Sequence, residues 1–157
     1  MTDAPGHPVR YLEDYVPGLV IDCGGFDVDE AQIIEFARQY DPQPFHVDPA
    51  AAAAGPFGGI IASGWHTISL MMRRVVERYL DPGTSLGAAG VDEVRWPRPV
   101  RPGDQLRVRA TVLEARRSRS KPDRGVVRTR FEVTTAGGET AMTLIAINLV
   151  LARPSDS

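Results

Sequence analysis

The sequence predicts an α+β domain with its helices on one side of an antiparallel sheet. Three observations predict it. From Trp65 to Leu80, apolar residues recur at helical spacing: Ile68, Met71, Met72, Val75, Val76 and Tyr79 share one face, while His66, Thr67, Arg73, Arg74, Glu77 and Arg78 fill the other. Leu106, Val108, Ala110 and Val112 alternate with polar residues, and so do Val127, Thr129, Phe131 and Val133, which is the period of half-buried strands. Beyond the hairpin turn Gly137-Gly138, Met142 to Leu151 is apolar at nearly every position, so that strand is expected to be covered on both faces, the second by a partner subunit.

The remaining elements follow in chain order. Residues 1–17 carry Pro5, Pro8 and Pro17 with little periodicity and are expected to form an N-terminal arm. Leu19-Val20-Ile21, ending at Cys23-Gly24-Gly25, is a first strand. Asp27 is expected to cap a helix, with Glu30 in capping-box register and Ile33, Ile34, Ala37 and Tyr40 on its buried side. Pro42 disfavours helical geometry at Asp41 and stops that helix near Tyr40. Asp48-Pro49 reads as an N-cap and first helical residue, followed by a short helix through Ala54 that Gly55-Pro56 ends. After the long helix, Asp81-Pro82-Gly83 is a break. Gly87 to Gly90 is a small-residue stretch that would let a helix or ligand approach the backbone, and Val91 to Trp96 is a further strand. Residues 18–152 thus read as one domain, with 153–157 as a tail.

Composition limits the function classes. The chain has 157 residues, 43% hydrophobic and 24% charged, enough for one domain with its own core. Cys23 is the only cysteine, so no internal disulfide forms, and a reducing cytoplasmic setting is expected. No apolar run reaches the roughly 18–20 residues of a membrane-spanning helix, and Met1 to Arg10 does not read as a signal peptide. Net charge is −2 and the basic run from Arg116 to Arg124 has no interleaved aromatics, so no nucleic-acid partner is expected. That run reads either as a solvated hairpin tip or as a phosphate clamp. Arg98 and Arg101 in the Pro-rich turn are alternative phosphate contacts. Three scattered histidines and one cysteine form no metal-ligand spacing. Cys23 has no basic neighbour in sequence and reads as a buried structural thiol.

The chemistry-bearing segment is Asp41-Pro42-Gln43-Pro44-Phe45-His46. A carboxylate and an imidazole lie five residues apart in a loop stiffened by two prolines, a pairing suited to acid–base work on a water. The residues alone also fit an ordinary Pro-rich loop with a capping Asp and a surface His. Ser63-Gly64 then opens the long helix. Gly64 would leave its N–H open to an oxyanion at the positive end of the helix, while a plain helix start capped by Ser63 is the other reading.

Asp41-x-x-Pro44-x-His46, with Ser63-Gly64 at the head of a long helix, resembles the MaoC-like hydratases, (R)-specific enoyl-CoA hydratases and dehydratases of the hotdog fold. Trp96-Pro97-x-Pro99-Val100-x-Pro102-Gly103-Asp104 also resembles the family's turn before a long strand, and the resemblance runs from about residue 18 to 151. It implies a single hotdog, with an antiparallel sheet wrapped around the central helix, working as a homodimer or larger homo-oligomer. It also implies that Asp41 and His46 bind one water, that Asp41 acts as base while the water attacks Cβ of a trans-2-enoyl thioester, and that Ser63 and Gly64 form the oxyanion and substrate-binding end of the helix, with the Gly64 amide stabilising the enolate. Coenzyme A would enter as part of the substrate, with no separate cofactor. Gln43 stands where the family has Asn, Phe45 where it has a smaller aliphatic residue, and Ser63 where it commonly has His. Phe45 is expected to reshape the acyl pocket. His66 reads as helix surface or pocket wall. The fold also accommodates thioester hydrolysis and non-catalytic acyl-CoA binding. Hydrolysis would call for an acid on the central helix, which offers only Glu77.

Overall fold

Strand alternation and the turn residues between the runs build a five-stranded antiparallel sheet in the order β1-β3-β4-β5-β2. The computed structural model describes residues 7–155; the expectations for residues 1–6 of the arm and 156–157 of the tail lie outside them. The strands are β1 (Val20–Asp27), β2 (Ser85–Arg95), β3 (Gln105–Arg117), β4 (Arg124–Thr135) and β5 (Thr140–Leu151). Four helices, α1 (Glu30–Tyr40), α2 (Pro44–Val47), α3 (Pro49–Ala54) and α4 (Gly64–Arg78), fall between β1 and β2.

The central strands form where the alternation is cleanest. In β3, Leu106, Val108, Ala110 and Val112 are buried and their neighbours exposed or partly so. In β4, Val127, Thr129, Phe131 and Val133 face the same core. α4 lies across this face, burying Met71 and Val75, with Tyr79 just past its end. Each such side chain contributes about 1.5–3 kcal/mol on full burial. The Tyr79 ring meets Phe131 edge-on at 5.4 Å, and its hydroxyl bonds Thr129 at 2.5 Å. The N-terminal arm joins this core: Leu12 and Tyr15 are buried, and the Tyr15 hydroxyl donates to the Tyr79 carbonyl at 3.1 Å.

Several boundaries differ from expectation. β1 continues through Gly24-Gly25 to Asp27, because a bulge between Asp22 and Gly25 absorbs the glycines within the pairing to β3. Gly24 has φ 81°, and a Cβ on Gly25 would fall 2.7 Å from the Leu106 carbonyl oxygen, so both positions require glycine. With Asp27 inside the strand, Asp29 caps α1 instead, accepting from the Gln32 amide at 3.1 Å. β2 begins at Ser85 and includes the small-residue stretch. Backbone pairing to β5, with three register shifts, holds it extended despite weak strand propensity. β2 is an edge strand of the sheet, and most of its residues are exposed.

The buried face of α4 is also rotated relative to the apolar stripe. His66 and Thr67 are buried, while Trp65, Met72 and Val76 are 61%, 41% and 41% exposed. Within one chain β5 alternates between buried and half-buried residues, with Met142, Leu144, Ala146 and Val150 inward and Ile145, Ile147 and Leu149 on the outer face. The basic run lies at the β3–β4 hairpin, where Arg117 pairs with Glu13 at 2.5 Å and Arg124 with Asp123 at 2.9 Å. Cys23 is buried, and burial pushes its thiol up to about 11, as for a structural cysteine. Among the described residues, no helix is long and apolar enough to cross a membrane.

Candidate active site

The end of α1 and two prolines place the dyad. Pro42 forces Asp41 out of helical geometry, and the Asp41 amide still closes the helix on the Ala37 carbonyl at 2.8 Å. Pro44 then occupies the first position of α2, so His46 sits on a helical turn rather than in an extended loop. Its amide donates to the Gln43 carbonyl at 2.9 Å. That turn brings the ring back over Asp41, with His46 Nε2 3.3 Å from Asp41 Oδ2. His46 is 5% exposed.

The second ring nitrogen fixes the tautomer. His46 Nδ1 lies 2.6 Å from the Ile61 carbonyl oxygen, which can only accept, so Nδ1 carries a hydrogen. Nε2 therefore faces the carboxylate. Two acceptors at 3.3 Å are compatible only with a proton shared between them or with a donor molecule seated beside both.

Asp41 is held by two neutral donors. The Ser63 hydroxyl donates to Oδ2 at 2.7 Å and the Gln43 amide nitrogen to Oδ1 at 2.7 Å. Burial pushes the carboxyl up, but the bonds from Gln43 and Ser63 and the nearby His46 ring outweigh it and hold the group below the usual carboxylate range. Ser63 consequently makes no side-chain cap to α4. Its carbonyl accepts from the His66 and Thr67 amides at 3.0 and 3.1 Å. The Gly64 and Trp65 amides take no backbone acceptor among the described residues and remain at the positive end of a 15-residue helix.

Asp41, His46 and Gly64 line one cavity of about 470 Å³, with Phe45, Phe57, Ile61, Trp65 and Trp96 among its walls. Phe45 meets the His46 ring edge-on at 4.5 Å and Phe57 at 5.3 Å, so the aromatic residue in the motif packs directly against the dyad. Arg98 reaches this cavity and is ion-paired with Glu139. Arg101 is committed to structure, donating to the Phe57 carbonyl at 2.7 Å. His66 is neither helix surface nor cavity wall: it is buried and stacked on Phe36 at 4.9 Å. Glu77 is paired with Arg73 at 3.0 Å and Arg74 at 2.8 Å and does not line the cavity. No three His, Cys, Asp or Glu side chains among the described residues converge as a metal site. Trp96 and Thr67 are cavity residues that the motif does not mark. For Trp96 the available signal is its place beside the Pro97-x-Pro99 turn; Thr67 carries none.

The model of the MaoC like domain matches residues 16–136, which include every residue of this cavity. The chain belongs to the MaoC-like domain family. This MaoC-like domain is similar in structure to the MaoC-like dehydratase from Rhodospirillum rubrum, with TM-score 0.85 and 39% identity over 93% of this chain and 99% of the other. It is also similar to the R-hydratase PhaJ1 from Pseudomonas aeruginosa, with TM-score 0.73 and 25% identity over 94% and 95% of the two chains. In sequence it is 40% identical over 74 residues to 3-hydroxyacyl-thioester dehydratase Z of Mycobacterium tuberculosis, a match covering 46% of this chain and 49% of that protein. The architecture is the hotdog fold, with α4 as the central helix of the MaoC-like domain.

Proposed function

We propose that the protein catalyses (R)-specific addition of water to a trans-2-enoyl-CoA thioester, or the reverse dehydration of a 3-hydroxyacyl-CoA. The observation that carries this reading is the facing of Asp41 Oδ2 and His46 Nε2 at 3.3 Å on the wall of a cavity that also holds the amide end of α4. A water seated beside the pair, on its cavity side, donates one hydrogen to Asp41. As its oxygen bonds to Cβ, that proton passes to the carboxylate and the C=C electrons move into the thioester enolate. The Gly64 N–H, unused by the helix, donates to the enolate oxygen. The proton taken up by Asp41 passes to His46 Nε2 and from Nε2 to Cα of the enolate, which restores both groups. The product gains one water and no group is left altered.

Coenzyme A enters as part of the substrate, and Arg98, which lines the cavity, meets its phosphates by exchanging its ion pair with Glu139. Two copies pair as a homodimer. Trp65, Met72 and Val76 on α4 and Leu86 and Val91 on the open edge of β2 are large apolar side chains that a single chain leaves exposed, and a second copy supplies cover for them.

A panel of enoyl-CoAs of increasing length tests the reaction. Loss of the conjugated thioester absorbance reads hydration, and a thiol reagent reads hydrolysis. Hydration without thiol release is expected. Thiol release without hydration would replace the reading with a thioesterase.

A further inference from the structure

Trp96 stands between the end of β2 and the Pro97-x-Pro99 turn, and that turn is tied to the approach to α4 by the Ala62 amide donating to the Val100 carbonyl at 2.8 Å. The backbone therefore carries the indole to the head of the central helix. A Cβ built on Gly64 would fall 2.6 Å from Trp96 Cζ2 and 2.7 Å from Nε1, with Cε2 closer still. The N–H edge of the indole thus occupies the space that any other residue at position 64 would need. This edge lies beside the Gly64 amide and in the same cavity as Asp41 and His46.

Trp96 is 42% exposed although it is among the largest apolar side chains of the protein. Its companion is Trp65, edge-on at 6.0 Å and 61% exposed. These are the only two tryptophans in the chain, and both stand at the same cavity. An indole half in water has apolar surface that a bound acyl-thioester can cover, and its N–H can serve an acceptor there.

We propose that Trp96 is a substrate-contacting residue of the oxyanion site: its ring covers the thioester, and its Nε1–H donates to the thioester oxygen beside the Gly64 amide. The proposal rests on the hydratase reading above for the reaction, and on geometry alone for the contact. Gly64 is then required for two reasons, an open amide and room for the indole. A donor that strengthens its bond as the oxygen becomes an enolate acts on kcat more than on KM.

The test uses the full chain and two variants. Trp96→Phe keeps an aromatic wall and removes the N–H. Trp65→Phe leaves Trp96 as the only tryptophan, so its fluorescence reports on that indole. With crotonyl-CoA, Trp96→Phe is expected to lower kcat at least about tenfold with KM changed less than threefold. In Trp65→Phe, butyryl-CoA, which has no double bond to hydrate, is expected to shift or quench the Trp96 emission, and coenzyme A alone is not. Trp96→Phe within twofold of the parent in both constants would overturn the donor role. An emission indifferent to butyryl-CoA, or equally responsive to coenzyme A alone, would overturn the thioester contact. If the parent hydrates no enoyl-CoA while butyryl-CoA still moves the Trp96 emission, the contact stands and the hydratase reading fails.

Discussion

Removing one hydroxyl separates the catalytic account of Ser63 from a purely structural one. Ser63→Ala deletes the 2.7 Å bond to Asp41 Oδ2 and disturbs little else, because Ser63 makes no side-chain cap to α4 and its carbonyl bonds are backbone. A hydrogen bond to a charged group contributes about 1.5–3 kcal/mol. Asp41 is 20% exposed, so water replaces part of the lost bond and the lower end, about 1.5 kcal/mol, applies. That is roughly a tenfold change in an equilibrium or a rate. Ser63 helps hold the Asp41 carboxyl below the usual range, so its removal raises that group and moves the acid limb of the pH–rate profile to higher pH. The sign for stability follows. A carboxylate with a lowered folded-state value contributes stability present above its unfolded value and lost as pH falls through the folded one. The variant is therefore less stable than the parent at neutral pH and equal to it in strong acid, where Asp41 is protonated in both. Steady-state rates from about pH 3 to 8, with urea melts at neutral pH and in acid where Asp41 is protonated, make the measurement. An acid limb that does not move, or a stability gap independent of pH, refutes the reasoning.

Three other substitutions probe separate parts of the structure. Phe45→Leu removes the ring packed on His46 and Phe57. Selectivity for hexenoyl-CoA over crotonyl-CoA is expected to rise roughly 30-fold, from about 1 kcal/mol of added space for each of its two extra methylenes; an unchanged ratio would place the acyl chain elsewhere. Asp48→Ala removes the acceptor of the Ala50 and Ala51 amides, at 3.0 and 3.1 Å, and is expected to lose about 1 kcal/mol in urea unfolding. Equal midpoints would show that α3 needs no cap. His66 is buried with Nδ1 unpartnered, and desolvation lowers its basicity, so charging it opposes folding. The parent is expected to lose stability relative to His66→Leu as pH falls from about 7 to 5; parallel curves over that interval would contradict this.

The sheet was legible wherever side chains alternated. Leu106 to Val112 and Val127 to Val133 reveal their buried faces directly, and the Gly137-Gly138 turn separates β4 from β5. β2 was half hidden because Gly87 to Gly90 has no strand signal of its own; pairing to β5 supplies it. Hydrophobicity misassigned the face of α4, since Trp65, Met72 and Val76 are apolar yet exposed, whereas His66 and Thr67 are buried. At the site, the Asp41 and His46 spacing was visible, but the Ser63 bond was not. A serine before a helical glycine satisfies the local pattern of an N-cap, and only the fold reveals that its hydroxyl reaches a carboxylate 22 residues earlier in the chain. Trp96 is 32 positions from Gly64, a contact that no periodicity encodes.

The central claim is that Asp41 and His46 activate a water for addition to an enoyl thioester. The most direct measurement is the rate of crotonyl-CoA hydration, with the configuration of the product, for the parent chain and Asp41→Asn. (R)-3-Hydroxybutyryl-CoA is expected from the parent, and a rate at least about 10²-fold lower from an Asp41→Asn variant with the same circular dichroism. An Asp41→Asn chain that hydrates at the parental rate would contradict that claim.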